Sequence, residues 1–160
     1  MIKDSTVRIA TWDDFPELMR LSRLICAETG IYEIDEFKVA KIFERAFTGK
    51  GGIIGVIGKP GNLEAFIYLL LDPVWYADAW QLVEFCNFVH PDYRRSRHAR
   101  ALIAFSKTCA DSIGVRATIG IFNGIRTKAK VRFYDSMLPN NGAIYLYTPP
   151  SLMTNSAKEA

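Results

Sequence analysis

Apolar positions recur with two different periods along this chain, and the change of period divides it into elements. Residues 6–10 (TVRIA) form a short β-like run. Thr11 or Asp13 can then cap a helix with Pro16 in its first turn. Phe15, Leu18, Ser22 and Ile25 keep helical spacing on one face, and Gly30 suits its end. A second helix is expected after Asp35, where Val39, Ile42, Phe43, Ala46 and Phe47 recur at intervals of three and four. Gly49, Gly51 and Gly52 close it.

Beyond these glycines the pattern becomes strand-like. Ile53 to Ile57 and Leu63 to Leu71 flank the turn residues Gly58-Lys59-Pro60-Gly61-Asn62, as a hairpin would. Gln81 to His90 (QLVEFCNFVH) is a third long strand, ended by Pro91. A helix from about Arg97 to Ser112 carries Ala99, Leu102, Ile103, Ser106, Cys109, Ala110 and Ile113 on one side, and Gly114 stops it. Val115 to Phe122 reads as a strand. Asn123-Gly124 turns into a helix bearing Ile125, Ala129, Phe133 and Met137, and Ala143 to Tyr147 is the last strand. The order β-α-α-β-β-β-α-β-α-β is a mixed α/β domain, with hairpins preceding a strand–helix–strand unit.

Length changes the picture little. With 160 residues the chain suits one domain over residues 1–150, followed by a polar tail at 151–160. Hydrophobic residues make up 49% and charged residues 23%, and no apolar run approaches the roughly 18 residues of a membrane span. The N-terminus carries Lys3, Asp4 and Arg8 without an apolar stretch, so a cytoplasmic location is expected. Cys26, Cys86 and Cys109 are too scattered for a disulfide framework, and with only His90 and His98 as imidazoles no metal site is expected. A net charge of +3 suits an anionic ligand without requiring nucleic acid.

Chemistry concentrates in Phe88 to Leu102 (FVHPDYRRSRHARAL), a strand ended by proline, a basic turn and a helix. The first turn of a helix leaves backbone N–H groups without partners and carries positive potential, so it receives phosphates. Arg94, Arg95, Arg97 and Arg100 reinforce that potential. The same cluster also suits a solvated helix start, or the edge of a nucleic-acid footprint.

This stretch resembles motif A of the GNAT acetyltransferases, a strand ending V-x-P-x-[YF] that leads into R-G-x-G-x-G/A-x-x-L. Val89, Pro91, Tyr93, Arg94, Ala99 and Leu102 fall on matching positions without gaps. The resemblance implies acetyl-CoA as co-substrate and an amine on a small molecule or protein as acceptor. Phe88 and Val89 would hold its pantetheine arm, and Arg94, Arg95, Ser96, Arg97, His98 and Ala99 its pyrophosphate. Arg95 and Arg97 stand where the family has glycines, and only one strand follows the last helix where the family has two. The resemblance is nearest to small bacteriophage-encoded GNAT-like proteins. It leaves open a catalytically inactive structural component, a toxin acetylating aminoacyl-tRNA, and a homo-oligomer.

The reaction needs a base for the acceptor amine and an acid for the departing thiolate. Phe133-Tyr134 matches the end of the family's A-x-x-[LF]-Y stretch, which implies Tyr134 as the acid, although Ala129 sits one place early and Thr127 stands where asparagine is frequent. Glu84, a carboxylate in an apolar strand, is the candidate base. Period-two alternation puts it on the side of Cys86 and Phe88, with Asn87 opposite. His90 and His98 read as a turn residue and a helix-surface residue. Trp75, Tyr76 and Trp80 are expected either to line an acceptor cleft or to cap the core.

Overall fold

The computed structural model of the protein describes residues 5–121 and 126–140, with 142 and 149. The expected strand at 143–147, the turn at Asn123-Gly124, Ile125 and the tail 151–160 lie outside the described residues. The chain divides into two compact units, Met1–Ile119 and Gly120–Ala160.

The first unit is a five-stranded sheet in the order β1-β2-β3-β4-β5, with β1 at Arg8–Ile9, β2 at Gly52–Lys59, β3 at Asn62–Pro73, β4 at Trp80–Val89 and β5 at Arg116–Thr118. The first four strands pair antiparallel and β5 joins β4 in parallel. Helices α1 (Phe15–Thr29), α2 (Glu36–Phe47) and α3 (His98–Ile113) complete it.

Each helix starts and stops for a local reason. Pro16 occupies the first turn of α1, where its missing N–H is no loss. Asp35 caps α2 by accepting from the Lys38 amide at 3.0 Å. Gly30 and Gly114 end α1 and α3 at φ 62° and 78°, a left-handed conformation that costs other residues energy.

The two faces of the sheet carry separate cores. On one, Leu18, Leu21 and Phe43 of α1 and α2 pack with Ile54, Val56, Phe66, Tyr68 and Phe88. On the other, Leu102 and Ala110 of α3 pack with Ile57, Ile67, Leu69 and Leu82, and Phe105 joins them. Gly55 lets α3 approach β2: a Cβ there would stand 2.6 Å from the Phe105 ring.

Strand β5 is shorter than its apolar run suggests. It pairs with β4 only from Gln81–Arg116 to Val83–Thr118, and beyond Thr118 the ladder ends. In the second unit, α4 spans Thr127–Asp135, and the rings of Phe133 and Tyr134 lie 5.5 Å apart on it.

Candidate functional site

β4 is the strand on which the candidate residues converge, and its two halves differ. Gln81–Val83 lies between β3 and β5, whereas Glu84–Val89 pairs only with β3 among the described residues. The change coincides with a bulge. Tyr68 faces Cys86 and Leu69 faces Glu84, which leaves Phe85 without an opposite number on β3. Its ring instead packs edge-on against Tyr68 at 5.5 Å.

The bulge overturns the expected alternation. Glu84 lies opposite Leu69 and Asn87 opposite Ile67, both in the α3-side core. Cys86 and Phe88 lie opposite Tyr68 and Phe66, on the side of α1 and α2. Glu84 thus shares a face with Asn87 and not with Cys86 or Phe88, because one extra residue resets a period-two count. Glu84 is 4% exposed. Burial pushes the Cys86 thiol far up, and the nearby Glu84 carboxylate adds to the rise, so Cys86 stays a neutral thiol.

The end of β4 separates Val89 from Phe88. The His90 amide donates to the Glu64 carbonyl on β3 at 2.9 Å, so the main-chain groups of Val89, one residue earlier, point away from β3 to the open side. Phe88 aligns with Phe66, and its ring is buried in the core. Of the two residues expected to hold a pantetheine arm, only Val89 presents its backbone outward.

The turn that follows is built by local hydrogen bonds. Pro91–Tyr93 forms one turn of 3-10 helix, in which the His90 ring accepts from the Asp92 amide at 3.3 Å, as a turn residue should. The Ser96 amide donates to the Tyr93 carbonyl, and the Ser96 hydroxyl accepts from the His98 amide at 3.1 Å. Among the described residues only Arg126 is a non-glycine with positive φ. The turn therefore accommodates Arg95 and Arg97 without strain, and Arg97 sits at φ −89°, ψ 6°.

Six expected anion-binding residues separate into two groups. Arg95 and Arg97 are exposed at the start of α3, and the amides of Arg95, Arg97 and Ala99 make no hydrogen bond among the described residues. Arg94 turns away: its Nη2 donates to both Glu28 oxygens at 2.5 and 2.7 Å, its Nε donates to the Val89 carbonyl at 3.2 Å, and it lies over the Phe88 ring. A guanidinium already holding a carboxylate is not offered to a phosphate in this conformation.

His98 departs from expectation most. It is wholly buried rather than on the helix surface. Its Nε2 is 2.6 Å from Glu64 Oε2, its Nδ1 is 3.0 Å from Ser5 Oγ, and its ring stacks on Tyr93. With its amide also taken by Ser96, His98 anchors the helix start and offers nothing to an anion. Sequence reading missed Glu64 and Ser5, since neither carries a motif. An acidic residue at an otherwise apolar strand position was the available signal for Glu64.

Trp75, Tyr76 and Trp80 do not cap the core: they are 91%, 75% and 55% exposed. They border a cavity of about 710 Å³ together with the C-terminal end of α3 and the start of β5. No group of three metal-ligating side chains occurs among the described residues.

No family model and no curated protein sequence matches the chain. Solved structures do. A possible acetyltransferase from Clostridium difficile 630 aligns at a TM-score of 0.69 with 17% identity, covering 90% of this chain and 97% of that one. The aminoglycoside acetyltransferase AAC(6')-Iy, in complex with the bisubstrate analogue CoA-S-monomethyl-acetylneamine, aligns at 0.67 with 14% identity, covering 90% and 97%. An aminoglycoside acetyltransferase from an uncultured soil metagenomic sample, in complex with sisomicin, aligns at 0.67 with 12% identity, covering 90% and 95%. The fold is that of the GNAT acetyltransferases.

Proposed function

We propose that this GNAT-fold chain transfers an acetyl group from acetyl-CoA to an amine of a small-molecule or protein acceptor. One observation carries the reading: the open half of β4 runs directly into a basic turn whose Arg95, Arg97 and Ala99 amides are unspent. The outward main-chain N–H of Val89 suits an extended amide-bearing arm, while its carbonyl accepts from Arg94. The amides of Arg97 and Ala99 suit a pyrophosphate, with the Arg95 and Arg97 guanidiniums beside them. In this reading Ser96 and His98 shape the turn and do not touch the ligand.

Acetyl-CoA would supply an activated thioester, so the protein's own tasks are to position and to move protons. Glu84, buried where β4 leaves β5, is the proposed base for the acceptor amine. Tyr134 is the proposed acid for the thiolate. Two titratable groups of different kind suit these opposite roles.

Calorimetry with CoA and thiol release from acetyl-CoA, on a panel of polyamines, peptides and aminoglycosides, test the proposal together. Arg95→Ala with Arg97→Ala should weaken CoA binding by about a hundredfold, because charge-assisted contacts contribute roughly 1.5–3 kcal/mol each and these are partly solvated. Tyr134→Phe should leave that affinity unchanged and cut turnover about 10²–10⁴-fold. CoA binding with no turnover on any acceptor would favour an inactive structural role instead. Retention of aminoacyl-tRNA at low salt would favour the toxin reading.

A further inference from the structure

The cavity beside Trp75 lies far from the basic turn. It adjoins the last turn of α3, and the rise over the 12 residues from His98 to Ala110 puts that turn about 18 Å from the start of α3. It is therefore a second feature of the first unit and not an extension of the proposed acyl-CoA site.

Its walls are unusual for an idle surface. Large aromatic side chains normally withdraw from water, yet Trp75 is 91% exposed and Tyr76 75%. Their rings meet nearly at right angles with centroids 5.2 Å apart, which makes a rigid apolar corner. The loop that carries them is held by its own backbone, with Val74 donating to the Ala79 carbonyl at 2.9 Å. Ordering this loop to display rings to solvent gains nothing for folding.

The polar part of the lining is Gln81, Asp111 and Arg116. Among the described residues neither Asp111 nor Arg116 forms an ion pair, although both border the same space. Gln81 accepts from Thr118 through its oxygen at 3.5 Å, which leaves its amide free to donate. The cavity so offers a carboxylate acceptor, a guanidinium and an amide donor, and two indole N–H groups. One negative and one positive side chain cancel. A cationic ligand would be attracted by the rings and Asp111 but would face Arg116, and an anion would face Asp111. A neutral ligand with an apolar face and many hydroxyls satisfies every group at once.

We propose that this cavity binds a saccharide of one or two rings. The C–H face of a pyranose stacks on an indole or phenol ring and loses water there. Its hydroxyls, each both donor and acceptor, are matched by planar side chains of both kinds. A volume of about 710 Å³ lies in the range of small-molecule sites.

The test is titration of the full chain with glucose, galactose, N-acetylglucosamine, maltose, lactose and cellobiose, followed by tryptophan fluorescence and calorimetry. Saturable binding of at least one is expected, weakened about tenfold or more by Trp75→Ala and by Asp111→Ala. Trp75→Phe should restore much of it, and Trp12→Phe should not matter. CoA affinity should be the same in all four variants, and unchanged thermal unfolding would show that each folds. Binding of none of the six sugars, or binding indifferent to Trp75→Ala, would overturn the proposal. Saturation by choline alone would replace it with a cation site. Self-association abolished by Trp75→Ala would replace it with a protein interface.

Discussion

Two arginines finish opposite regions of the sheet, and they do so differently. Arg8, on β1, grips Asp14 with two bonds of 2.7 Å and also donates to the Gly58 carbonyl. Asp14 is fully buried and takes a further bond from the Thr11 amide at 2.9 Å. Arg94, at the open end of β4, grips Glu28 and the Val89 carbonyl, but both partners of that pair keep access to water. The chemistry is the same and both guanidiniums are 35% exposed, but Asp14 is buried and Glu28 is 24% exposed. Opening the first pair strands a buried carboxylate, whereas opening the second leaves both charges in water. The first region reads as a permanent weld and the second as a latch beside the candidate site.

Asp14 should show the largest effect, and it carries a pH signature. Burial raises its carboxyl, but hydrogen bonds from Arg8 and Thr11 outweigh that and hold it below the usual aspartate range. A carboxyl depressed in the folded state stabilises the fold above its unfolded pKa, and that stability is lost as pH falls through about 4 and below. Asp14→Asn should cost about 1–2 kcal/mol at neutral pH, because the Arg8 guanidinium loses its carboxylate partner but, at 35% exposed, keeps contact with water. It should also flatten the acid limb of a melting-temperature profile between about pH 5 and 3. An unaltered acid limb would show that the weld lies elsewhere.

The features behind the weld and the latch differ in legibility. Asp35, Gly30 and Gly114 announce helix ends by residue type, so the element order through α4 could be read from the sequence. The basic turn was legible for the same reason, since its arginines and proline adjoin one another. The bulge was not, because nothing local to Phe85 distinguishes an inserted residue from an alternating one. Partners distant in sequence were equally hidden: Arg94 meets Glu28 across 66 residues and His98 meets Glu64 across 34. Side chains assigned to a ligand by adjacency were thus diverted by tertiary pairing, and the Arg95 and Arg97 side chains with the amides of Arg95, Arg97 and Ala99 are those left without a hydrogen bond among the described residues.

The smallest effect is the most discriminating, because it separates latch from weld. Glu28 sits in the last turn of α1, where a carboxylate opposes the helix dipole, so the protein gains little from it there except through Arg94. Glu28→Gln should change stability by less than about 1 kcal/mol, as for other water-exposed pairs. It should nevertheless raise CoA affinity about fivefold, since a released Arg94 can add one charge-assisted contact to the basic turn. Arg94→Ala should abolish that gain, and a double-mutant cycle on CoA binding should give a coupling of about 1 kcal/mol between the two positions. The same cycle built on Arg8 and Asp14 should show its coupling in unfolding and none in CoA binding. Glu28→Gln without effect on CoA, or with an unfolding cost like that of Asp14→Asn, would make Arg94 a second weld.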